Sequence, residues 1–287
     1  MSAPLGILGG SGLYAMPGVV VAERREVPTP FGAPSGPVVL GTLEGAPVAF
    51  LPRHGEGHRL LPSEVNYRAN IWALKAVGAE ILLSVSAVGS LQPHLHPGTL
   101  CLPTQFIDRT HRRESTFFGD GLVAHVGFAE PTSAWLRGQL KLAAARLGLE
   151  LPEVGAYVNM EGPQFSTRAE SRLHRAWGAD LIGMTQATEA KLAREAELVW
   201  ACIALVTDFD AWKEDEAVET HDVLAVMAAN VDKAQALLRA VAPDLADGPP
   251  ADEPARNALR FALMTAPDHV PAPTRGKLAP LIRRYGY

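Results

Sequence analysis

The chain has 287 residues, 47% of them hydrophobic and 20% charged, with a formal net charge of −5. That is enough apolar material for one large α/β domain or two small ones. The acidic balance and the absence of a basic cluster argue against nucleic acid as a partner, and no apolar run approaches the roughly twenty residues that a bilayer span requires. The opening MSAPLGILGGSGLY lacks a basic stretch and is interrupted by glycines, so it does not read as a signal peptide; a cytoplasmic location is the expectation. Cys101 and Cys202 lie far apart and form neither a CxxC pair nor a Cys/His cluster. Buried reduced thiols are expected of them, and no metal ligand set is apparent.

In chain order, residues 5–8, 19–21, 38–40 and 48–51 read as early strands separated by Gly/Pro turns. Residues 66–77 carry apolar side chains at helical spacing and stop at Gly78; 80–85 (EILLSV) then reads as a buried strand. Helices are expected over 133–147 and 168–177, each closed by glycine, with a strand at 154–158 between them. A further helix is expected over 188–197 with Thr188 as its N-cap, then an interior strand over 199–206. The longest helical pattern runs from 221 to 241; DGPPADEP at 247–254 breaks it, and the tail from Pro267 is Pro-rich with a basic end. Strands alternating with helices predict an α/β fold: a single domain with a twisted, mostly parallel, mixed central sheet flanked by helices. Ligands in such folds gather in loops at strand ends.

The first such loop is Gly9-Gly10-Ser11-Gly12. A dinucleotide fingerprint would have to open a helix there, yet Pro17-Gly18 and a β-branched run follow at once, and Glu23 comes too early for the ribose-binding acid. A tight turn would explain the glycines; an anion cradle of backbone N–H groups would also use the Ser11 hydroxyl. Arg53-His54 follows the strand at 48–51 and offers a planar fork and a second donor suited to phosphate oxygens. Three segments, SVSAVGS (84–90), MEGPQFS (160–166) and GMT (183–185), place hydroxyls and backbone amides at strand ends or loops, where they could equally satisfy turn backbone. Thr207-Asp208-Phe209-Asp210 ends the apolar strand at 199–206. If the strand continues, alternation puts both carboxylates on one side, where the pair could hold a proton; a solvated turn with an Asp N-cap is the other reading.

The order of LPRHGEGH, PSEVNYRANIWALK, SAVGSL, QFIDRT, MEGPQFSTRAES, WGAD, GMT and TDFDAWKE resembles the trimeric purine nucleoside phosphorylases, most closely the methylthioadenosine phosphorylase family. The likeness runs from GILGGSGL to near Leu238. It implies a phosphorylase domain over 1–245, with 246–287 as linker, C-terminal helix and tail packed on the same domain. The implied enzyme is a pentosyltransferase of purine and methionine salvage that cleaves S-methyl-5'-thioadenosine to adenine and 5-methylthioribose 1-phosphate. Its only co-substrate would be inorganic phosphate, with no cofactor, and it would act as a homotrimer or dimer of trimers with shared active sites. Alternatives are a 6-oxopurine or methylthioinosine phosphorylase, or a broader adenosine phosphorylase.

By the same resemblance, Ser11, Arg53, His54, Ser86, the Ala87 amide and Thr185 would hold phosphate. Met184 would lie under the ribose, Phe165 would pack on the base, and Ser166 would sit in the base-recognition segment. Asp208 would serve the N7 proton and Asp210 the 6-amino group, favouring adenine over 6-oxopurines. His125 would be lent to a neighbouring subunit's pocket, and Thr220, Val223 and Leu224 would line the 5'-subsite. There the chain departs from the family, since Thr220 and His221 stand where relatives are often more apolar.

Overall fold

The computed structural model describes residues 3–10, 16–213 and 220–287, with backbone alone at 220–224. Ser11 therefore lies outside the described residues, as do the side chains of Thr220, Val223 and Leu224.

Among the described residues, nine strands form one mixed sheet. Strand β1 (Leu5–Gly9) lies between β4 (Ala46–Pro52) and β5 (Ile81–Ser90), parallel to both; β2 (Val19–Arg25) and β3 (Val38–Leu43) extend the β4 side as antiparallel ribbons. On the other side run β8 (Ala179–Gly183), β7 (Glu153–Asn159), β6 (Leu100–Asp108) and β9 (Val199–Asp208), and β9 returns to pair in parallel with β5. The strands β5, β8, β7, β6 and β9 thus close into a ring, where an open sheet would have left two edges.

Alternation along the central strands builds two cores. Leu8, Leu82, Trp200 and Cys202 face one, with Trp72 and Ile71 of α1 (Tyr67–Ala76), Ala190 and Ala193 of α4 (Gln186–Glu195), and Leu278 and Ile282 of α6 (Ala272–Ile282). Ile7, Leu83, Ala201 and Ile203 face the other, with Leu136 and Leu140 of α2 (Ala134–Arg146) and Leu237 and Val241 of α5 (Thr220–Val241). Both sheet faces are covered, which is why the strands read as continuous apolar runs. Both cysteines are buried and free, and no helix among the described residues is long and apolar enough to cross a membrane.

Helix starts follow local chemistry. Asn66 and Ser133 cap α1 and α2 by accepting from Ala69 N and Leu136 N. Thr167 and Glu170 close a reciprocal capping box on α3 (Arg168–Ala176). The expectation of Thr188 as a cap is corrected: α4 begins at Gln186, Thr185 occupies the N-cap position, and Thr188 is fully buried inside the first turn. Tertiary packing sets that start, because Glu189 in the same turn answers the buried charge of Arg53, the residue after β4. Two strands are absent from the sequence reading. β8 is five residues framed by Gly178 and Gly183, and β6 contains Pro103, tolerated because its β9 partner reaches only Leu100 and Cys101.

Candidate active site

The C-terminal ends of β1, β4, β5, β8 and β9 converge on a cavity of about 630 Å³. Gly10, Arg53, His54, Ser86, Ala87, Phe165, Met184, Thr185, Asp208 and Asp210 all line it, so residues spread over two thirds of the chain meet in one place. Register accounts for part of the convergence: Gly9 is opposite Pro52, and Arg53 N donates to Gly9 O at 2.9 Å.

Arg53 is not the open fork that its position suggests. It is 3% exposed, and its Nε and Nη2 engage both carboxylate oxygens of the fully buried Glu189, the second at 3.0 Å. Nη1 donates to Val85 O at 2.9 Å and Nη2 to Leu8 O at 3.1 Å. One Nη1 hydrogen is left for a ligand. Glu189 also accepts from Ser84 Oγ at 2.7 Å, and Ser84 Oγ accepts from Trp200 Nε1 at 2.9 Å. Burial opposes the Arg53 charge, but Glu189 outweighs it and holds the guanidinium charged.

His54 adjoins this pair. Its Nδ1 lies 2.9 Å from Leu60 O; a carbonyl only accepts, so Nδ1 carries the proton and Nε2 of the neutral ring is an acceptor. Burial first, then the Arg53 charge, pull the His54 pKa down to about 4. The expected second donor is thus an acceptor in the unliganded site, able to receive a proton from a phosphate hydroxyl. Thr185 Oγ1 accepts from Gln186 Nε2 at 2.9 Å, which leaves its own hydrogen to donate. Ser86 Oγ has a weak contact to Ala87 O at 3.2 Å.

At the opposite wall, Asp208 ends β9. Strand alternation does not produce the acidic pair: Asp210 starts a 3-10 turn with φ +51°, and this turn folds it back beside Asp208. Asp210 N donates to Asp208 Oδ1 at 2.8 Å and Thr207 Oγ1 to Asp208 Oδ2 at 2.7 Å. Gly89 makes room, since a Cβ there would stand 3.0 Å from Asp208 Oδ1 and 3.3 Å from Asp210 Cβ. Burial raises the Asp208 pKa, and Asp210 adds to the rise against the two hydrogen bonds. Asp210 Oδ2 is buried without a partner among the described residues, an acceptor whose desolvation is uncompensated until something donates to it.

Ser166 is outside the cavity lining; its hydroxyl points to Met160 Sδ at 3.7 Å. His125 is exposed and away from this chain's cavity, tied by its amide to Ala262 O. Met227 and Val231, further along α5, supply apolar lining that the sequence reading did not single out. Glu189 and Arg113 were also missed. The Arg113 side chain, 2% exposed, binds Glu161 Oε1 at 2.8 Å, Tyr67 Oη at 2.6 Å and Met184 O at 3.1 Å, pinning the 160–163 loop to the Met184 backbone. The pairings Arg53–Glu189 and Arg113–Glu161 span 136 and 48 residues, beyond any local sequence signal.

A family model described as the phosphorylase superfamily matches residues 4–243. The chain belongs to that superfamily. Among curated relatives, S-methyl-5'-thioadenosine phosphorylase of Koribacter versatilis is 50% identical over 288 residues, covering 99% of this chain and 97% of the relative. That of Gloeobacter violaceus is also 50% identical, over 99% and 96%. Among solved structures, a methylthioadenosine phosphorylase from an Antarctic soil metagenomic library superposes with a TM-score of 0.92 at 46% identity, covering 98% of this chain and 99% of that one. The Schistosoma mansoni methylthioadenosine phosphorylase in complex with adenine gives 0.87 at 36% identity, over 92% and 100%. At this identity and coverage, the chain falls within the methylthioadenosine phosphorylase family of that superfamily, and its nucleoside phosphorylase fold agrees with the resemblance carried by its motifs.

Proposed function

We propose that the chain is a purine nucleoside phosphorylase that cleaves S-methyl-5'-thioadenosine with inorganic phosphate, yielding adenine and 5-methylthioribose 1-phosphate. The observation that carries this reading is the meeting, in one cavity, of an anion-suited wall (Arg53, His54, Ser86, Thr185) with the adjacent carboxylates of Asp208, whose pKa is raised, and Asp210. As the C1'–N9 bond breaks, its electron pair passes to the purine and the sugar becomes cation-like. A phosphate oxygen held on the opposite face then bonds to C1'. Asp208 gives a proton or strong hydrogen bond to N7, and Asp210 accepts from the 6-amino group through its unpartnered oxygen. A 6-oxo base would present an acceptor to that acceptor, a mismatch worth on the order of 1–3 kcal/mol. Met184 supports the ribose, and Phe165, 82% exposed at the rim, covers the base. Met227 and Val231 continue an apolar 5'-subsite that accepts a methylthio group.

The place of the reaction is purine and methionine salvage, in the cytoplasm, with no cofactor beyond phosphate. The assembly is a homotrimer or a dimer of trimers, with His125 completing a neighbour's site. Support comes from the position of His125 outside its own cavity, where its segment pairs with a strip exposing Val123, Phe261 and Met264.

The direct test is base release from S-methyl-5'-thioadenosine, adenosine and inosine, with and without phosphate. Phosphate-dependent release of adenine, with inosine slowest, is expected. Release that ignores phosphate would overturn the phosphorylase reading, and inosine cleaved fastest would overturn the role of Asp210.

His54 supplies a second expected result. The unfolded chain takes up this proton near 6.5, the folded chain only near 4. His54 therefore supports the fold at neutral pH and withdraws that support as pH falls between those values. In a histidine NMR titration without phosphate, the resonance lost in His54→Gln should titrate near pH 4, and phosphate should move it upward. A midpoint near 6.5 without phosphate would contradict the buried neutral ring.

A further inference from the structure

Tyr157 stands in the middle of β7, between β6 and β8, and is fully buried. Its ring packs against Phe106 with centroids 5.4 Å apart, and its hydroxyl runs under the cavity floor. A Cβ built on Gly183, the cavity-lining residue that precedes Met184 and Thr185, would stand 1.9 Å from the Tyr157 hydroxyl. Glycine at 183 is thus what lets the phenol reach the floor. At that end the hydroxyl is buried with no partner at hydrogen-bond distance among the described residues, and the Ser86 side chain lies near enough to act on it. A core tyrosine normally satisfies its hydroxyl with a fixed acceptor. Near this one is a serine whose own contact, 3.2 Å to Ala87 O, is long and replaceable.

We propose that Tyr157 is a positioning residue for phosphate: its O–H donates to Ser86 Oγ in the liganded site and turns the Ser86 proton onto a phosphate oxygen. The inference rests on the phosphorolysis reading above. No bond other than hydrogen bonds changes; the relay runs Tyr157 to Ser86 to phosphate, and each donor polarises the next. Burial pushes the phenol far above its ordinary range, so Tyr157 remains a donor at any working pH. Arg53, which has a single hydrogen to spare, cannot orient phosphate alone. A second oriented hydroxyl supplies the geometry that the occupied fork does not.

The test is Tyr157→Phe in the full-length chain, alone and combined with Ser86→Ala. Phosphate KM at saturating nucleoside is expected to rise roughly 3–12-fold, the size of one lost neutral hydrogen bond, while nucleoside KM stays within about twofold. In the Ser86→Ala background the same change should have no further effect on phosphate KM. Calorimetric binding of inorganic phosphate alone should show the same loss and the same coupling, independent of turnover. An unchanged phosphate KM, equal rises in both KM values, or additive effects of the two substitutions would overturn the proposal. Wild-type chain that releases no base with phosphate would instead defeat the phosphorolysis reading, and the calorimetric cycle would still decide the Tyr157–Ser86 coupling.

Discussion

Asp208→Asn is expected to lower turnover of an adenine nucleoside by roughly 10²–10⁴-fold, the range that general acid catalysis contributes, with phosphate KM changed less than about threefold. The amide oxygen can still accept from Asp210 N, which now meets Asp208 Oδ1 at 2.8 Å, so the turn at 210–212 should hold. What is lost is a proton that can be transferred. Asp208 is the group whose pKa burial and Asp210 raise together. A raised carboxyl favours the fold most at low pH and loses that contribution as pH rises through its folded value. The alkaline limb of the wild-type rate profile should therefore be governed by Asp208 and be absent from the variant. N7 is the same acceptor in adenine and hypoxanthine, so adenosine and inosine should both lose turnover. Steady-state kinetics across pH with both nucleosides checks this. A phosphate KM that rises in step with the fall in kcat would place Asp208 outside the base site.

The legible part of this molecule is the part that chain order carries. The strands that deliver Gly10, Arg53, Ser86 and Asp208 were readable because buried strands give short apolar runs that glycine and polar residues then break. All the wall residues named from motifs between Arg53 and Asp210, except Ser166 and the exposed His125, line one cavity. Closure of the ring through β5 and β9 was not readable. It depends on β6 and β8, one holding a proline and the other only five residues long. The acidic pair was found for an incomplete reason. Its convergence comes from the positive φ of Asp210 and the missing side chain of Gly89, not from strand alternation. Local patterns report which face a residue prefers; they do not report what charge waits across the sheet, which is why Arg53 was read as a free fork.

That occupied fork gives the largest expected stability effect. Glu189→Gln should destabilise the chain by about 3–5 kcal/mol, the cost of removing one partner from a buried ion pair, and lower Tm by roughly 6–15 °C. Glutamine nearly matches glutamate in volume, so packing is preserved and the change isolates charge. One amide oxygen can still accept from Arg53 Nε. The amide nitrogen then replaces the oxygen that now receives Nη2 at 3.0 Å and Ser84 Oγ at 2.7 Å. Ser84 can turn, because its oxygen has lone pairs for both Trp200 Nε1 and the new amide. Arg53 cannot turn, being held by Val85 O and Leu8 O, and it keeps a full charge that nothing neutralises. Phosphate is the anion that the proposed reaction would bring to this wall. Added phosphate should therefore raise the Tm of Glu189→Gln by more than it raises that of the wild type. Thermal unfolding of both chains across a phosphate series measures the two effects together. A variant with wild-type Tm would show that the pair carries no net buried charge. A destabilised variant that phosphate does not rescue more than wild type would show that the Arg53 charge is shut off from the cavity by the bonds that fix it.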